Sequence, residues 1–439
     1  MKNINKKMYD KHGDGVQDSK LIMPSDELFT NTLGSGVTRR DFLQTGVMAA
    51  AAAALPFSAT AASHKQRDWS KPKKWNPVVN LGYIPITDAA ALLTAHEMGF
   101  FKNQGIDSVR PTLIRGWSAL VEGFSSKRFN LTHLLAPIPV AMRYNNNFPV
   151  KVTAWDHTNG SATVVGKKTG IETVKDLGGK QFAVPNWYSN HNIISQKMMV
   201  AAGIKPVVRP QDAKLAPDEC NILVLPPPSM PPALAAGSID AYCVAEPFAA
   251  LGEVKAGGKI LRFTGDVWKG HPCCVVVMHE EDTVDPERAA WTQGVHNAIV
   301  EAQIYISENR DEMSEILSRD GKKYYPFPKE IVKRAMTKYD PAYYKNPHAI
   351  QHSSWGQDRI NFQAWPYRSA TELNVNMLKD TVLTGDTAFL DKLDPKYVTE
   401  DLVNYDFIKV ALESNPKWKD DSSVPQSGNP YTREEIFEV

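Results

Sequence analysis

The chain has 439 residues, 42% of them hydrophobic and 23% charged, the proportions of a water-soluble globular protein with apolar material for two or three domain cores. Its 50 lysines and arginines balance 49 aspartates and glutamates, which excludes the basic face of a nucleic-acid binder and a polybasic membrane patch. Four cysteines (Cys220, Cys243, Cys273, Cys274) are too few for a disulfide framework and lack the paired CxxC spacing of a zinc knuckle.

A polar leader precedes TRRDFLQTGVMAAAAAALPFSATAAS. Arg39 and Arg40, followed by Phe42 and Leu43, match a twin-arginine export signal, with an alanine-rich apolar stretch from Gly46 to Phe57. Ala59-Thr60-Ala61 is an A-x-A cleavage site. The apolar stretch falls short of the ~20 residues that cross a bilayer. The expectation is a signal peptide over 1–61, cut near Ala61, and a soluble periplasmic protein handled by the twin-arginine translocase. No cofactor motif follows, and none is expected.

Residues 62–75 read as a basic linker. VVNLGYIPI is a strand ending in a proline turn, and TDAAALLTAHEMGFF a helix that Thr87 or Asp88 caps and Gly99 stops. SVRPTLI and GWSALVEGFSSKRF repeat the pair, and LTHLLAPIPVAMRY and PVKVTAWDHTNGSATVVG continue it. The alternation restarts at TVKDLGGKQFAVPNWYSNHNIISQKMMVAAGIKP and runs to GKILRFTG. Amphipathic helices follow, and the residues after 410 read as a surface wrap or mobile tail. PPPSMPP, residues 226–232, reads as a turn between strand and helix rather than a polyproline connector. This pattern predicts an α/β protein with parallel strands and a ligand cleft between two lobes. The expected boundaries are lobe 1 over 76–165, lobe 2 over 166–265, then 266–410 as the second part of lobe 1 with C-terminal helices, and a tail over 411–439.

Ligands in such sheets sit at strand carboxyl ends and helix N-termini. The turns to watch are therefore 85–88, 115–118, 136–139, 156–161, 186–191 and 246–247. These hold Thr87, Arg115, Trp117, Asn159, Ser161, Ser189 and His191. Trp117 suits a pocket wall in a strand-to-helix turn, against a core aromatic; His191, just before a helix, can face an anion, or cap or sit on the surface.

AHEMGFFKNQGI, VKDLGGKQFAVP and LAAGSIDAYCVAEPF, in this order behind an export signal, resemble the periplasmic binding proteins of ABC importers in the nitrate, sulfonate, taurine and bicarbonate superfamily. HTNGSA, CVAEPF and NFQAWPY are most similar to its nitrate and bicarbonate subgroup. The resemblance covers roughly residues 76–410. It implies a type II periplasmic-binding-protein fold, a small anion as ligand, and a permease and ATPase of the inner membrane as partners. Trp117 then matches a pocket tryptophan and His191 a ligand-facing histidine, while Ser161 stands where the subgroup has glutamine. Where the subgroup has His-Pro-Glu-Lys, with a lysine facing the anion, this chain has GHPCC, with Cys273 and Cys274. A thiol in place of an ammonium costs an anion site about 2–5 kcal/mol unless another cation compensates, and Arg115 is the candidate.

Four readings of the vicinal thiols stand side by side: a soft-metal site that recruits His271 or Cys243, a nucleophile, a disulfide, and packing. Neighbours in an extended segment point to opposite faces, so packing is expected, with one thiol under the strand and the other, Cys274, lining the cleft. No metal ligand set is assigned. Glu246 reads as structural, against a calcium-site role that the bicarbonate type implies. The expected function is therefore solute binding by hinge closure, without catalysis. Alternatives are a neutral ligand such as a pyrimidine precursor, an exported metal-binding protein or enzyme built on Cys273 and Cys274, and a ligand-sensing role.

Overall fold

The computed structural model describes residues 77–439 apart from 338, 353–354 and 357. The expected signal peptide and linker lie outside the described residues. In chain order the first sheet begins with β1 (Leu81–Tyr83), β2 (Thr112–Leu113), β3 (Leu131–Leu135) and β4 (Val150–Trp155). The chain leaves it through the short β5 (Thr158–Asn159) and builds a second sheet from β6 (Ser161–Gly166), β7 (Gln181–Val184), β8 (Lys205–Val207), β9 (Glu219–Val224), β10 (Ala241–Ala245) and β11 (Gly258–Phe263). It then returns to the first sheet as β12 (Cys274–His279), and β13 (Ile360–Asn361) later pairs with β5.

The strand orders are β2-β1-β3-β12-β4 and β11-β6-β10-β7-β9-β8. The sheets are mixed, contrary to the parallel strands expected from the sequence pattern. β12 runs antiparallel to both its neighbours, and so does β6. These are the strands by which the chain enters each sheet from the other. A chain that crosses at the carboxyl ends of one set of strands arrives at the carboxyl ends of the next, so the entering strand has to run backwards. β6 also belongs to the second sheet, which moves the crossing from the expected 165 back to 156–161.

The β-branched run Val275–Val277 suits a central strand covered on both faces, and β12 is buried throughout. Helix α1 (Ala90–Glu97) buries Ala90 to Ala95 and packs on the long α2 (Ala289–Glu308), which also holds α3 (Asp406–Ser414). Small alanines let these helix axes approach closely. Gly99, at φ 77°, supplies the left-handed turn that ends α1. The segment after α3 is a wrap: Trp268 Nε1 donates to Glu435 at 2.8 Å, and Arg433 Nη2 to the Gly270 carbonyl at 3.0 Å.

Two histidines are buried as neutral imidazoles far from the crossings. His279 stacks on Phe124 at 4.2 Å, and His296 donates from Nδ1 to the Thr292 carbonyl at 2.7 Å while stacking on Phe407. Burial holds both down to about 4. Their folded pKa lies below the unfolded value of about 6.5, so unfolding takes up protons between these limits and stability falls as pH drops through them. His296→Gln should therefore lose less of its urea midpoint than the wild type between neutral pH and pH 4.5; parallel curves would remove this role for His296.

Candidate functional site at the crossings

The two crossings hydrogen-bond to each other. Thr158 bridges Pro272 in antiparallel fashion, and the Asn159 amide donates to the His271 carbonyl at 2.9 Å. Asn159 and Gly160 both adopt positive φ, 60° and 76°, which turns the chain sharply from one sheet to the other. A Cβ on Gly160 would stand 3.1 Å from the His157 ring, so glycine is required here for space as well as conformation.

Register places one group of side chains at the same edge. Cys274 opens β12 opposite Leu135 and Val275 lies opposite Trp155, so the carboxyl ends of β3 and β4 meet the start of β12. His157 follows β4, and Asp88 lies in the 3-10 turn Thr87–Ala89 after β1. Asp88 Oδ2 is 3.0 Å from Cys274 Sγ, 3.3 Å from Cys273 Sγ and 2.8 Å from His157 Nε2. All four residues are 0% exposed. The second sheet closes over them. Ser161, at the start of β6, places Oγ 2.9 Å from His191 Nε2 and 3.4 Å from Cys273 Sγ; His191 Nε2 is 3.7 Å from the same sulfur. Asn190 Nδ2 donates to the Pro272 carbonyl.

Burial and the neighbouring Cys273 push the Asp88 carboxyl up to about 6. Burial works against a charged His157, but Asp88 outweighs it and raises the imidazole well above its ordinary range. Burial likewise opposes a Cys273 thiolate, yet the hydrogen bond from Cys274 and the charge of His191 hold this thiol well below its usual value, while burial and Cys273 push Cys274 up. Behind this group His133 accepts the Ile84 amide at 3.1 Å, and burial holds it neutral, at about 3. Among the described residues, the hydrogen bonds and ion pairs of the group come from histidine, serine, cysteine and backbone, with no lysine or arginine.

Of the residues singled out by sequence, Ser161, His191 and Cys274 come together here. Thr87 adjoins them, its hydroxyl donating to the Glu246 carbonyl at 3.2 Å. Trp117 is buried edge-on to His133, at 5.8 Å between ring centroids, with Nε1 unpartnered. Asn159 spends its side chain on the Gly270 amide, at 2.9 Å. Ser189 accepts from Asn192 N at 3.1 Å, capping the helix Asn190–Ala201, and donates to the Asn186 carbonyl. Arg115 is exposed and makes no contact with the group.

Both thiols reach the same carboxylate, contrary to the expectation of opposite faces. Cys273 lies in a bend before the strand, and the two-residue alternation starts only at Cys274. All four cysteines are free. Asp88, expected as a helix cap, caps nothing and turns inward instead. Asp88 and His157 were within the turns marked by sequence but carried no signal of their own, because their partners are distant in the chain. A cavity of about 980 Å³ opens elsewhere, between α2 and the segment from Lys417 to Ser422, and contains none of these residues.

Residues 73–318 match the NMT1-like family, and residues 36–56 match the twin-arginine translocation signal. The chain is 29% identical over 342 residues to the nitrate/nitrite binding protein NrtA of Nostoc sp. (strain PCC 7120), covering 69% of this chain and 74% of that protein. It is also 29% identical over 245 residues to the nitrate import ATP-binding protein NrtC of Synechocystis sp., covering 53% of this chain but only 35% of that longer protein. The crystal structure of the periplasmic nitrate-binding protein NrtA from Synechocystis PCC 6803 superposes with a TM-score of 0.64 at 21% identity, over 80% of this chain and 91% of that one. That likeness bears out the two-lobe fold.

Glu246 closes the same seam from the other side. Its carboxylate takes Arg359 Nε at 2.8 Å and the Ala250 amide at 2.9 Å, and its carbonyl accepts the Thr87 amide at 2.8 Å. Arg359 is also held by Glu253 at 3.1 Å and the Tyr344 hydroxyl at 2.7 Å. The role is structural, and this carboxylate already has its cation. Removing one partner of a buried pair strands the other, at about 3–5 kcal/mol. Arg359→Ala should destabilise the protein by that amount in urea unfolding; a loss under 1 kcal/mol would mean that water reaches Glu246.

Proposed function

The chain belongs to the NMT1-like family, and from that premise we propose that it is the exported substrate-binding component of an ABC import system for a small oxyanion. The observation that carries this reading is the meeting of strand-end turns from both sheets on one buried polar group at the paired crossings. A two-lobe protein hinged there binds by closing over its ligand and presents the closed form to a permease. Kinship with nitrate-type binding proteins supports the anion, and the twin-arginine signal supports a periplasmic site of action.

The chemistry offered to an oxyanion is donation by neutral or histidine groups rather than by lysine. Ser161 Oγ and His191 Nε2 already face each other across the seam, and the buried Trp117 Nε1 and His191 Nδ1 have no protein partner. Desolvated donors of this kind hold anion oxygens tightly, because the low-dielectric surroundings strengthen each hydrogen bond. Binding without turnover is the activity proposed.

A thermal-shift and calorimetry panel of nitrate, nitrite, bicarbonate, sulfonates and neutral pyrimidines tests the reading. An oxyanion at 100 times its Kd should add about 2.7 kcal/mol of stability. Trp117→Ala and His191→Ala should each weaken that binding about tenfold or more, the worth of a charge-assisted hydrogen bond. Unchanged affinity in both variants would sink the site, and a response confined to neutral compounds would sink the anion.

A further inference from the structure

We propose that Asp88, His157, Cys273 and Cys274 form a binding site for one zinc-class divalent cation, held as a buried tetrahedral set. The inference does not rest on the anion reading. Asp88 and Cys274 belong to the first sheet and its turns, and His157 and Cys273 to the crossings, whereas an anion bridging the lobes also needs His191 and Ser161 from the second sheet.

The geometry carries it. One atom from each of the four residues, Oδ2, Nε2 and two Sγ, lies within 4.8 Å of all the others. Without an ion the contacts compete for the same atoms. The Cys274 amide points at His157 Nε2 from 3.2 Å and Asp88 Oδ2 lies 2.8 Å from the same nitrogen, so that nitrogen serves both only if Asp88 carries the proton between them. Asp88 Oδ2 is approached by three groups while Oδ1 has no partner, and His157 Nδ1 also has none. Four fully buried ligand-type atoms within 4.8 Å of one another match the donor set of a small cation.

The ligand types select the ion. Two thiolates and an imidazole suit zinc and reject magnesium and calcium, which take oxygen ligands. With the carboxylate, these ligands bring three negative charges, so a divalent ion leaves one and a monovalent copper ion leaves two. A residual single charge is the smaller burden in a buried site. Zinc–ligand lengths of about 2.0–2.3 Å imply tetrahedral edges of about 3.3–3.8 Å, so the contacts to Oδ2 need to open by about half an ångström. Ser161 Oγ and His191 Nε2, at 3.4 and 3.7 Å from Cys273 Sγ, would donate to the bound thiolate and support the set from outside.

The test uses the exported protein, reduced and stripped with a chelator, then titrated with zinc and separately with cobalt(II). Elemental analysis should give one zinc per chain, and cobalt should give a sulfur-to-metal charge-transfer band with the strong visible bands of tetrahedral coordination. Cys273→Ser, Cys274→Ser and Asp88→Asn should each lose zinc affinity about tenfold or more, while Arg115→Ala, at an exposed residue outside the group, keeps one zinc per chain at unchanged affinity. The wild-type cobalt spectrum keeps the test open should a variant fail to fold. Substoichiometric zinc, or cobalt bound without the thiolate band, overturns the proposal. Zinc uptake with no anion response would leave the metal site standing and the anion reading refuted; an oxyanion response without zinc uptake would do the reverse.

Discussion

Everything in this molecule follows from how the chain changes sheets. Each crossing is made at the carboxyl ends of the strands, and each entering strand, β6 and β12, therefore runs against its neighbours. Those strands are central rather than marginal, with partners on both sides. The two connections, 156–161 and 271–274, consequently lie over the strand ends of both lobes and pair with each other. Strand ends are where an α/β protein gathers its unpaired polar groups. Here the covalent connection and the polar group are one place.

That placement concentrates charge where water is excluded. Asp88 and Asp156 are fully buried with four histidines nearby or adjoining, His133, His157, His191 and His271. A buried ion left alone costs several kcal/mol, so the group survives only through mutual compensation. Asp88 and His157 compensate each other, whereas burial pushes the Asp156 carboxyl, 4.0 Å from the neutral His133 and without a hydrogen-bond partner, well above the usual range. The Arg359–Glu246 pair does the same work on the far side of the seam, with both partners 1% exposed. It ties β10's exit to β13 and, through the Glu246 carbonyl, to the turn that carries Asp88. The Arg359 pair and the turn that carries Asp88 are thus joined by a single residue's two ends.

Periodicity made most of the architecture legible. Short apolar runs alternating with helical segments located both lobes, and Gly99 ends α1 where its position suggests. Strand direction was not legible, because β6 and β12 look like any buried valine-rich strand and only the path of the chain reverses them. The turns bearing the site were also readable, from the rule that ligands gather at strand ends. Individual roles were not. A capping aspartate and an inward ligand have the same local sequence, and Asp88 is separated from Cys273 by 185 positions. Arg115, also in one of the marked turns, is exposed and stands apart from the group.

The exchange of a lysine-bearing stretch for GHPCC takes on a physical meaning in this frame. The resemblance to nitrate-type proteins implies a lysine where this chain has GHPCC, and among the described residues no arginine or lysine contacts the group. Two thiols instead converge on a carboxylate and an imidazole, an acidic constellation that repels an anion unless protons or a cation occupy it. In the proposed site a divalent ion would offset two of the three negative charges that the deprotonated ligands bring. On this account the metal site and the anion site are neighbours across the seam, with Cys273 as the shared wall: its sulfur faces the ion on one side and His191 on the other. The substitution that weakens the case for a lysine-type anion site is therefore the one that gives the first lobe a reason to carry a cation.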